Sequence, residues 1–442
     1  IARRSGKAGQ SRAASGTALA LAGVLLTCTA QAELPVQVTG AGFAGQGTTA
    51  NYQVNGTQAL VNQVGNKSIL NWQSFNVSAG HNVQFRQVDS LTTQNLVEGA
   101  NFTSLNRIHD INPSIIAGSI SQAAGQKANI ILVNTNGIAF MGGSQVNLNQ
   151  FTASTLNIAD DFITGSLLTS ATLTPQFEKA LDGSEARGFI KVLEGAQISA
   201  DSFGRVMLIA PTVVNKGKVD APDGQVIAAA GSRVFLRAAG NEDTNVRGLL
   251  VEVDSPAGLV HADTPNAAVR DGVLDGQTVS LTQAAEDKLG HVTNLGELTT
   301  ARGNVTMIGF AVNQQGIARA TTSVLANGSV YLLAKDGAID KTTSLRGGQA
   351  TLATGSRTEV LPDVADATGA QDGTAGMNLD KRSQVRVLGQ RIEMQDGATI
   401  LAPSGDVTLV AQDNPGQGEF GTDSPFTNGG AERIFDGARI HI

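Results

Sequence analysis

The clearest candidate for ligand chemistry in the sequence is a glycine-rich segment, Gly40-Ala41-Gly42-Phe43-Ala44-Gly45. Its spacing is that of a dinucleotide-binding turn, in which glycines let the backbone approach a pyrophosphate at the start of a helix. Residues 46–50 do not resemble a helix start, and residues 60–63, about 20 positions further on, contain no acid. The segment therefore predicts a glycine-rich turn rather than a nucleotide site.

Side chains that bind metals or act in catalysis do not cluster along the sequence. The only cysteine is Cys28, no Gly-x-Ser-x-Gly segment is present, and no two histidines are two or four residues apart. Asp220 and Asp223 lie in turn-forming stretches, where Asp bonds to its own backbone more often than it acts in catalysis. We therefore expect no catalytic residue, no metal site and no cofactor. The histidines are His81, His109, His261, His291 and His441.

The composition indicates a folded chain with a thin core and an acidic surface. Glycine makes up 52 of 442 residues without a three-residue period, which excludes collagen. Aromatic residues are 4%, charged residues 16% and hydrophobic residues 41%, so the core must consist of small and branched aliphatics. Residues 1–32 hold four of the 31 basic residues and no acid, which leaves 27 basic and 38 acidic residues, a net charge of −11, from residue 33 onward. Such a chain is a poor phosphate-backbone binder, so no nucleic-acid partner is expected.

The first 32 residues have the pattern of a secretory signal peptide. Basic residues precede an apolar run at 18–26, and the small-residue sequence Ala30-Gln31-Ala32 follows it. The run is shorter than the roughly 20 residues that span a membrane, and cleavage is expected before Glu33. A lipoprotein cysteine at Cys28 is the alternative, but Thr27 stands where glycine or alanine is usual. The mature chain is therefore expected to be exported and to lack cysteine.

Short internal repeats dominate the mature chain. A Gly-x-Val unit followed by alternating apolar residues begins at Gly204, Gly224, Gly303, Gly328 and Gly405, and a Gly-Ala-x-Ile unit begins at Gly195, Gly397 and Gly437. Their period of two predicts short strands. In the best-preserved stretch the units at Gly204 and Gly224 are 20 residues apart, a spacing that suits coils that bury an apolar face only by stacking. The sequence therefore predicts an all-β, right-handed parallel β-helix (a solenoid) with short extra-helical β elements.

Other globular architectures fit the repeats less well. A β-sandwich lacks a translation of about 20 residues, and a β-propeller needs about 40 residues per blade. Between the coils, residues 174–183 predict a short helix with Thr174 as its cap and Gly183 as its stop. Residues 363–376 predict a projecting loop, and the sequence stops at Ile442 within a repeat, which suggests the front of a longer protein.

Several ordered motifs resemble the secretion domain of filamentous-haemagglutinin-type exoproteins. The segments are Asn71 to Val77 with Val83 to Phe85, Leu105 to Ile108, Ile131 to Ile138, Phe151 to Thr155, and the coil pair from Ile198 to Leu236. The resemblance implies an N-terminal secretion domain at 33–290, after the signal peptide at 1–32, with further β-helix repeats at 291–442. It also implies Asn134, Asn136, Gly137 and Ile138 as the secretion motif, in which Thr135 replaces the family's proline.

The resemblance further implies how the chain is exported. A dedicated outer-membrane β-barrel partner, through its periplasmic domains, would recognise the N-terminal domain and pass the remainder to the cell surface or medium of a Gram-negative bacterium. The chain would then be an adhesin or haemagglutinin-like protein whose surface ligand the sequence does not identify. A β-helical polysaccharide-active enzyme and the delivery stalk of a contact-dependent toxin are the alternative functions.

Overall fold

A computed structural model describes most of the chain after the predicted signal peptide. Ala30 and Ala32 lie outside the described residues, as does nearly all of the predicted loop 363–376. Within the described part the chain is almost entirely β-structure, with one 3₁₀ turn at Gly40–Gly42. The described residues are 33–45, 47–160, 176–238, 248–254, 264–323, 327–335, 348–363, 383–403, 405–411, 431–434 and 439–441.

The strands are short and follow one another closely along the chain. In chain order they are β1 (Val36–Gln37), β2 (Thr49–Asn55), β3 (Gln58–Val64), β4 (Lys67–Ser74), β5 (Asn82–Val88), β6 (Asn101–Ile108), β7 (Ser114–Ile116), β8 (Ser119–Gln122), β9 (Lys127–Asn134), β10 (Ile138–Phe140), β11 (Gln145–Ser154), β12 (Asn157–Ile158), β13 (Phe177–Glu178), β14 (Phe189–Val192), β15 (Gln197–Ala210), β16 (Thr212–Asn215), β17 (Lys218–Asp220), β18 (Gln225–Ala230), β19 (Arg233–Ala238), β20 (Leu249–Asp254), β21 (Gly272–Leu274), β22 (Gln277–Val279), β23 (His291–Asn294), β24 (Glu297–Thr300), β25 (Asn304–Gly309), β26 (Ala311–Gln314), β27 (Ile317–Thr322), β28 (Ser329–Ala334), β29 (Gln349–Leu352), β30 (Arg357–Pro362), β31 (Gln384–Gly389), β32 (Arg391–Met394), β33 (Thr399–Leu401), β34 (Asp406–Ala411), β35 (Ala431–Ile434) and β36 (Arg439–His441).

These strands wind into a parallel β-helix with three faces. The first face holds β2, β3, β5, β8, the first halves of β11 and β15, β17, β24, β27, β30, β33 and β36. The second holds β1, β4, β6, β9, the second halves of β11 and β15, β18, β25, β28, β31 and β34. The third holds β7, β10, β14, β16, β23, β26, β29, β32 and β35. Among the described strands, only β1 and β2, at the N-terminal end, join these faces in antiparallel pairing. The predicted β-helix is confirmed.

The sequence repeats coincide with the stacking of strands on the second face. The valines of the Gly-x-Val units pair in register from coil to coil, and all are enclosed except Val407 of the last unit, which is half-buried. Enclosing a valine side chain contributes roughly 1.5–3 kcal/mol relative to exposure, so the repeated column is a main source of stability. One more unit, Gln384-Val385, stacks in the same column. It has Ser383 in place of glycine and is not among the repeats found in the sequence. The column is Val206, Val226, Val305, Val330, Val385 and Val407.

The glycine of the repeated unit is required by the close approach of successive coils. A Cβ at Gly224 would lie 1.9 Å from the carbonyl oxygen of Gly204 in the preceding coil. A Cβ at Gly303 would lie 2.1 Å from the carbonyl oxygen of Gly224. Since a side chain cannot occupy that space, glycine recurs in this position of the repeat.

The core changes character along the axis. At the N-terminal end Trp72 is fully buried and contacts Phe43, Tyr52 and Phe75 edge-to-face, with ring centroids 5.0–5.2 Å apart. The indole N–H of Trp72 donates to the Asn106 side chain at 3.0 Å. Later coils are filled by Val, Ala, Leu and Met, which a narrow interior can hold in stacked layers. The aromatic side chains of the main core cluster therefore all lie between Phe43 and Phe151, in the earlier coils.

Two corners of the solenoid differ in length. The corner between the third and first faces, here the closed corner, is 117–118, 141–144, 193–196, 216–217, 295–296, 315–316, 353–356 and 395–398. The corner between the second and third faces, here the open corner, is a single residue at Pro211, Phe310 and Gln390. In other coils the open corner carries longer segments, which are 109–113, 135–137, 155–188, 231–290, 335–348 and 412–430.

Two extra-helical β elements arise from the open corner. Strands β12, β13, β19 and β20 form an antiparallel sheet, and β21 and β22 form a hairpin. The helix predicted at 174–183 is wrong in its described part, because Phe177–Glu178 is a strand. Phe177 is fully buried and pairs with Val234, so tertiary packing of this ring overrides the helix-start pattern of the local sequence.

The hairpin belongs to an excursion, residues 264–290, that covers part of the third face. We call it the hairpin excursion. Val269 and Leu281 from the excursion pack with Ile115, Ala139 and Phe189 of the coils. Its charged anchor is Lys191, whose ammonium group lies 2.6 Å from the Asp287 carboxylate and donates to the carbonyl of Leu281. The excursion is therefore packed and ion-paired against the solenoid.

Candidate functional site

The four residues of the predicted secretion motif lie together at the open corner. Asn134 ends β9, residues 135–137 form the corner, and Ile138 begins β10. The backbone N–H of Gly137 donates to the carbonyl of Asn134 at 3.1 Å, which closes a four-residue turn. The structure thus brings Asn134, Asn136, Gly137 and Ile138 into one turn between two faces.

The Asn134 side chain holds this turn from inside. It is fully buried, and its Oδ1 accepts the backbone N–H of Asn136 at 2.9 Å. Its Nδ2 donates to the carbonyl of Asn112 at 3.1 Å and to the hydroxyl of Ser114 at 2.9 Å. Since an unsatisfied buried amide is costly, these bonds fix both the turn and the preceding coil.

Asn136 connects the same turn to two other segments. Its Nδ2 donates to the carbonyl of Asp110 at 2.8 Å, and its Oδ1 accepts a bond from the Arg270 guanidinium at 2.9 Å. Asp110 belongs to the corner of the preceding coil, and Arg270 belongs to the hairpin excursion. Asn136 is therefore a junction between a loop, a turn and the excursion.

The other two motif residues are fixed by packing. Gly137 has a φ of +124°, and a Cβ there would lie 2.7 Å from the Phe189 ring. Ile138 is fully buried and pairs with Ser114 and Ile190 on the third face. A larger residue at 137 or a polar one at 138 would disturb the corner.

Thr135 stands where the resembled family has proline. Thr135 and Asn136 are not among the described non-glycine residues with positive φ, so the turn is compatible with the type I geometry that proline favours at its second position. The Asn134 side chain accepts the Asn136 N–H across the turn and so helps to hold the turn at this position. Threonine is therefore accommodated at this corner.

The turn forms one wall of an open cleft of about 250 Å³. Charges of both signs face it, from Asp182, Glu185, Arg187 and Arg270. The Ser184 hydroxyl hydrogen-bonds to Asp182 and lowers the pKa of that carboxyl, which keeps it ionised. The remaining lining residues are Thr135, Asn136, Ala180, Ser184, Gly188, Ala267 and Ala268.

Beside the motif, the corner residues 109–113 expose an apolar side chain. Ile111 is 77% exposed, although the carbonyls on both sides of it, at Asp110 and Asn112, accept bonds from the motif asparagines. Asp110 also accepts the Asn112 N–H at 2.8 Å. Burial and coulombic repulsion from Arg107 lower the pKa of His109, which favours the neutral ring. Three hydrogen bonds therefore hold the exposed loop.

The remaining sequence candidates lie apart from this corner. Residues 40–42 form a 3₁₀ turn, and Glu33 contacts Ser78 and Asn76 at the first coil. Asp223 lies at a turn and is paired with Arg302, while Asp220 accepts the Thr299 hydroxyl. No group of three metal-ligating side chains occurs among the described residues. Within the same part of the chain, no apolar helix reaches membrane-spanning length.

Sequence reasoning missed the residues that complete the corner from a distance. Arg270 is 134 positions from Asn136, and Lys191 is paired with Asp287 across 96 residue numbers. Ile111 carries no sequence signal, because its exposure depends on the corner that holds it. Only the stacking of coils brings these residues to the motif.

Comparisons with known proteins agree with this architecture. The HMW1 secretion domain from Haemophilus influenzae is similar in structure, with a TM-score of 0.52 at 18% identity over 89% of this chain and 95% of that one. The filamentous hemagglutinin secretion domain gives a TM-score of 0.36 at 14% identity, with 85% and 97% of the two chains covered. The similarity to the HMW1 secretion domain is one of fold.

The family follows from the sequence. The model of the TPS secretion domain, the two-partner secretion domain, matches residues 36–335, and the chain belongs to this family. Domains of this family direct the export of exoproteins from Gram-negative bacteria through a partner outer-membrane transporter. A Heme/hemopexin-binding protein of Haemophilus influenzae is 25% identical over 183 residues, 41% of this chain and 18% of that protein. The matched region spans less than a fifth of that relative.

Proposed function

We propose that the open corner at residues 134–138 is the part of this secretion domain on which recognition by the transporter depends. The carrying observation is that the two motif asparagines, Asn134 and Asn136, use their side chains to hold the carbonyls of Asn112 and Asp110. The motif is largely buried and offers a partner little surface of its own. It acts by fixing the loop at 109–113, which carries the exposed Ile111.

The partner in this proposal is the periplasmic part of an outer-membrane β-barrel transporter. An apolar side chain held on a fixed loop loses little conformational freedom on binding, which favours it as an anchor for a partner pocket. The cleft at the motif turn, which is lined by Arg187, Arg270, Asp182 and Glu185, suits a polar rim around such an anchor.

The rest of the proposal concerns the exported protein. Residues 1–32 are the signal peptide, with cleavage after Ala30-Gln31-Ala32, and the secretion domain spans 33–290. Residues 291–442 continue the same three faces, since β16 pairs in parallel with β23 and the stacking proceeds from there. The exported product is an adhesin or haemagglutinin-like protein, secreted or held at the cell surface, without enzymatic activity of its own.

Export measured in cells tests this function. The chain is produced with and without its partner transporter, and its amount in the medium is compared for wild type, Asn136→Ala and Ile111→Ser. We expect export only with the transporter, and a loss of about tenfold or more in both variants, since anchors of this kind dominate binding. Secretion that needs no transporter, or that is unchanged in Asn136→Ala, contradicts the proposal.

Two controls separate recognition from folding. Phe203 is 79% exposed on β15, so Phe203→Ser removes an equally exposed apolar side chain away from the motif and should leave export unchanged. Ile111→Leu keeps an apolar side chain at this position and should be exported as well as wild type. The thermal unfolding midpoint of Ile111→Ser should equal that of wild type, because the side chain is in solvent.

A further inference from the structure

The backbone nitrogen of Glu33 occupies a polar site formed by two distant segments. It lies 2.7 Å from the Ser78 hydroxyl oxygen and 2.9 Å from Oδ1 of Asp275. Ser78 also donates its hydroxyl proton to Asp275, and the backbone N–H of Ser78 donates to the carbonyl of Glu33 at 3.0 Å. The Glu33 side chain accepts the Asn76 amide at 2.7 Å. The backbone nitrogen, the carbonyl oxygen and the side-chain carboxylate of Glu33 therefore each have a hydrogen-bond partner.

The number of protons at this nitrogen is the informative point. A peptide nitrogen carries one hydrogen, yet two acceptors stand within hydrogen-bond distance of the Glu33 nitrogen, and one of them is a carboxylate. An ammonium group carries three hydrogens and a positive charge. It would satisfy both acceptors and form a charge-assisted bond with Asp275, which is stronger than a neutral one.

The sequence independently predicts cleavage at this bond. Hydrolysis of the Ala32–Glu33 peptide bond consumes one water and leaves a carboxylate on Ala32 and an α-amino group on Glu33. That amino group is mostly protonated at neutral pH, because α-amino groups have ordinary pKa values of roughly 7.7–8.0. Signal-peptide removal therefore creates the cation that the site around Glu33 lacks before cleavage.

Asp275 is positioned for this contact by its own turn. It has a φ of +52° and precedes Gly276 at +72°, so the two residues form the Asp-Gly turn between β21 and β22. The turn is the tip of the hairpin excursion, 242 residues from Glu33 in the chain. The same excursion donates Arg270 to the motif residue Asn136.

We propose that Asp275 and Ser78 form the binding site for the α-ammonium group that signal-peptide cleavage creates at Glu33, and that this ion pair fixes the hairpin excursion to the first coil. The chain's own new N-terminus is the ligand. Cleavage then strengthens the contact between the start of the solenoid and the excursion beside the motif. The inference rests on cleavage before Glu33 and not on how the transporter recognises the domain.

Hydrogen exchange of the hairpin amides, residues 272–279, tests the contact. The chain from Glu33 onward is released from an N-terminal fusion by a protease that leaves Glu33 first, and half of it is acetylated at the α-amine. We expect the free-amine chain to exchange about tenfold more slowly in the hairpin than the acetylated chain, as a charge-assisted bond implies. Equal exchange in the two chains overturns the proposal.

A substitution cycle ties the effect to Asp275. In Asp275→Asn, acetylation should no longer change exchange, and the hairpin itself should persist because Asn-Gly favours the same turn. Asp396→Asn, which removes an exposed acid from another Asp-Gly turn far from the excursion, should keep the tenfold difference. An effect of acetylation that survives in Asp275→Asn contradicts the assignment.

The N-terminus of the exported chain supplies a second, independent readout. Mass spectrometry of the mature protein should find a free α-amine on Glu33. A chain that begins at another residue, or whose Glu33 amine is blocked, overturns the proposal. These readouts do not depend on export through the transporter, so their failure is distinguishable from failure of the proposed function.

Discussion

The closed and open corners of this solenoid use the same kind of side chain in opposite ways. At the closed corner Asn215 donates to Asn294, and Asn294 donates to Gln314, each at 2.8 Å. These amides lie at equivalent positions of successive coils, so each corner is bonded to its own copy in the next one. In these three coils the closed corner is therefore an amide ladder, and along the described chain this corner stays two to four residues long.

At the open corner the amides bond to something other than their own copies. Asn134 and Asn136 donate to the carbonyls of a loop in the preceding coil, and Asn136 also accepts from the excursion. The comparison teaches that the closed corner carries the regularity of the rod, whereas the open corner carries its distinguishing features. The predictions below, in order of decreasing effect, separate these two roles.

The largest effect is expected where the excursion is anchored at the open corner. In Asp287→Ala the ammonium of Lys191 remains buried without its partner, which should cost about 3–5 kcal/mol in free energy of unfolding. Urea unfolding measures it. The control is the neighbouring acid Glu286, whose ion pair with Lys216 is more exposed to solvent. Glu286→Ala should lower the free energy of unfolding by about 1 kcal/mol or less. Similar costs for both would show that the buried pair is not an anchor.

A glycine at each corner gives the next comparison. Gly137→Ala introduces a Cβ 2.7 Å from the Phe189 ring and a strained φ, so we expect a loss of about 2–4 kcal/mol. Gly143→Ala at the closed corner meets only the strain, since nothing lies within 4 Å of its Cβ, and should lose about 1 kcal/mol. Thermal unfolding of both variants measures the difference, and a larger loss at Gly143 would reverse the argument.

Restoring proline should make the open corner slightly more rigid. Thr135→Pro suits the second position of the turn, and Asn134 before it already ends a strand, as the residue before a proline prefers. We expect a gain of about 0.5–1 kcal/mol, because proline restricts the unfolded chain. Differential scanning calorimetry checks it; a loss would mean that the Thr135 N–H or its φ matters to the fold.

The smallest effect concerns acid. Bonds from the Leu281 N–H and from Thr282 lower the pKa of Asp271 below its ordinary value of 3.8. The folded state therefore stabilises the ionised form of Asp271. This carboxylate contributes fully to folding stability above its ordinary pKa, and the contribution is lost as the pH falls through the lowered pKa of the folded state. Exchange of the Leu281 amide, corrected for intrinsic pH dependence, should rise below about pH 4. In Asp271→Asn that rise should be absent.

The parts of the fold that repeat were predictable, and the parts that occur once were not. The Gly204 and Gly224 units predicted strand, period and stacking, because a glycine that coil contact requires recurs in several coils. The strand at Phe177 was missed since its partner, Val234, lies in a later segment, and its local sequence resembles a helix start. The motif turn was found through family resemblance, whereas Arg270 and Asp275 reach their contacts only in the folded chain.

The excursions also set the order in which the rod can form. Val206 and its partner Val226 are 20 residues apart, whereas Val226 and Val305 are 79 apart, although each pair spans one coil. Closing the longer loop costs about 1.2 kcal/mol more in chain entropy, so a chain that winds from its N-terminus slows roughly eightfold at this step. We expect folding to slow before Val305 pairs with Val226, when the coils before Val226 are complete and the chain after it is still unfolded.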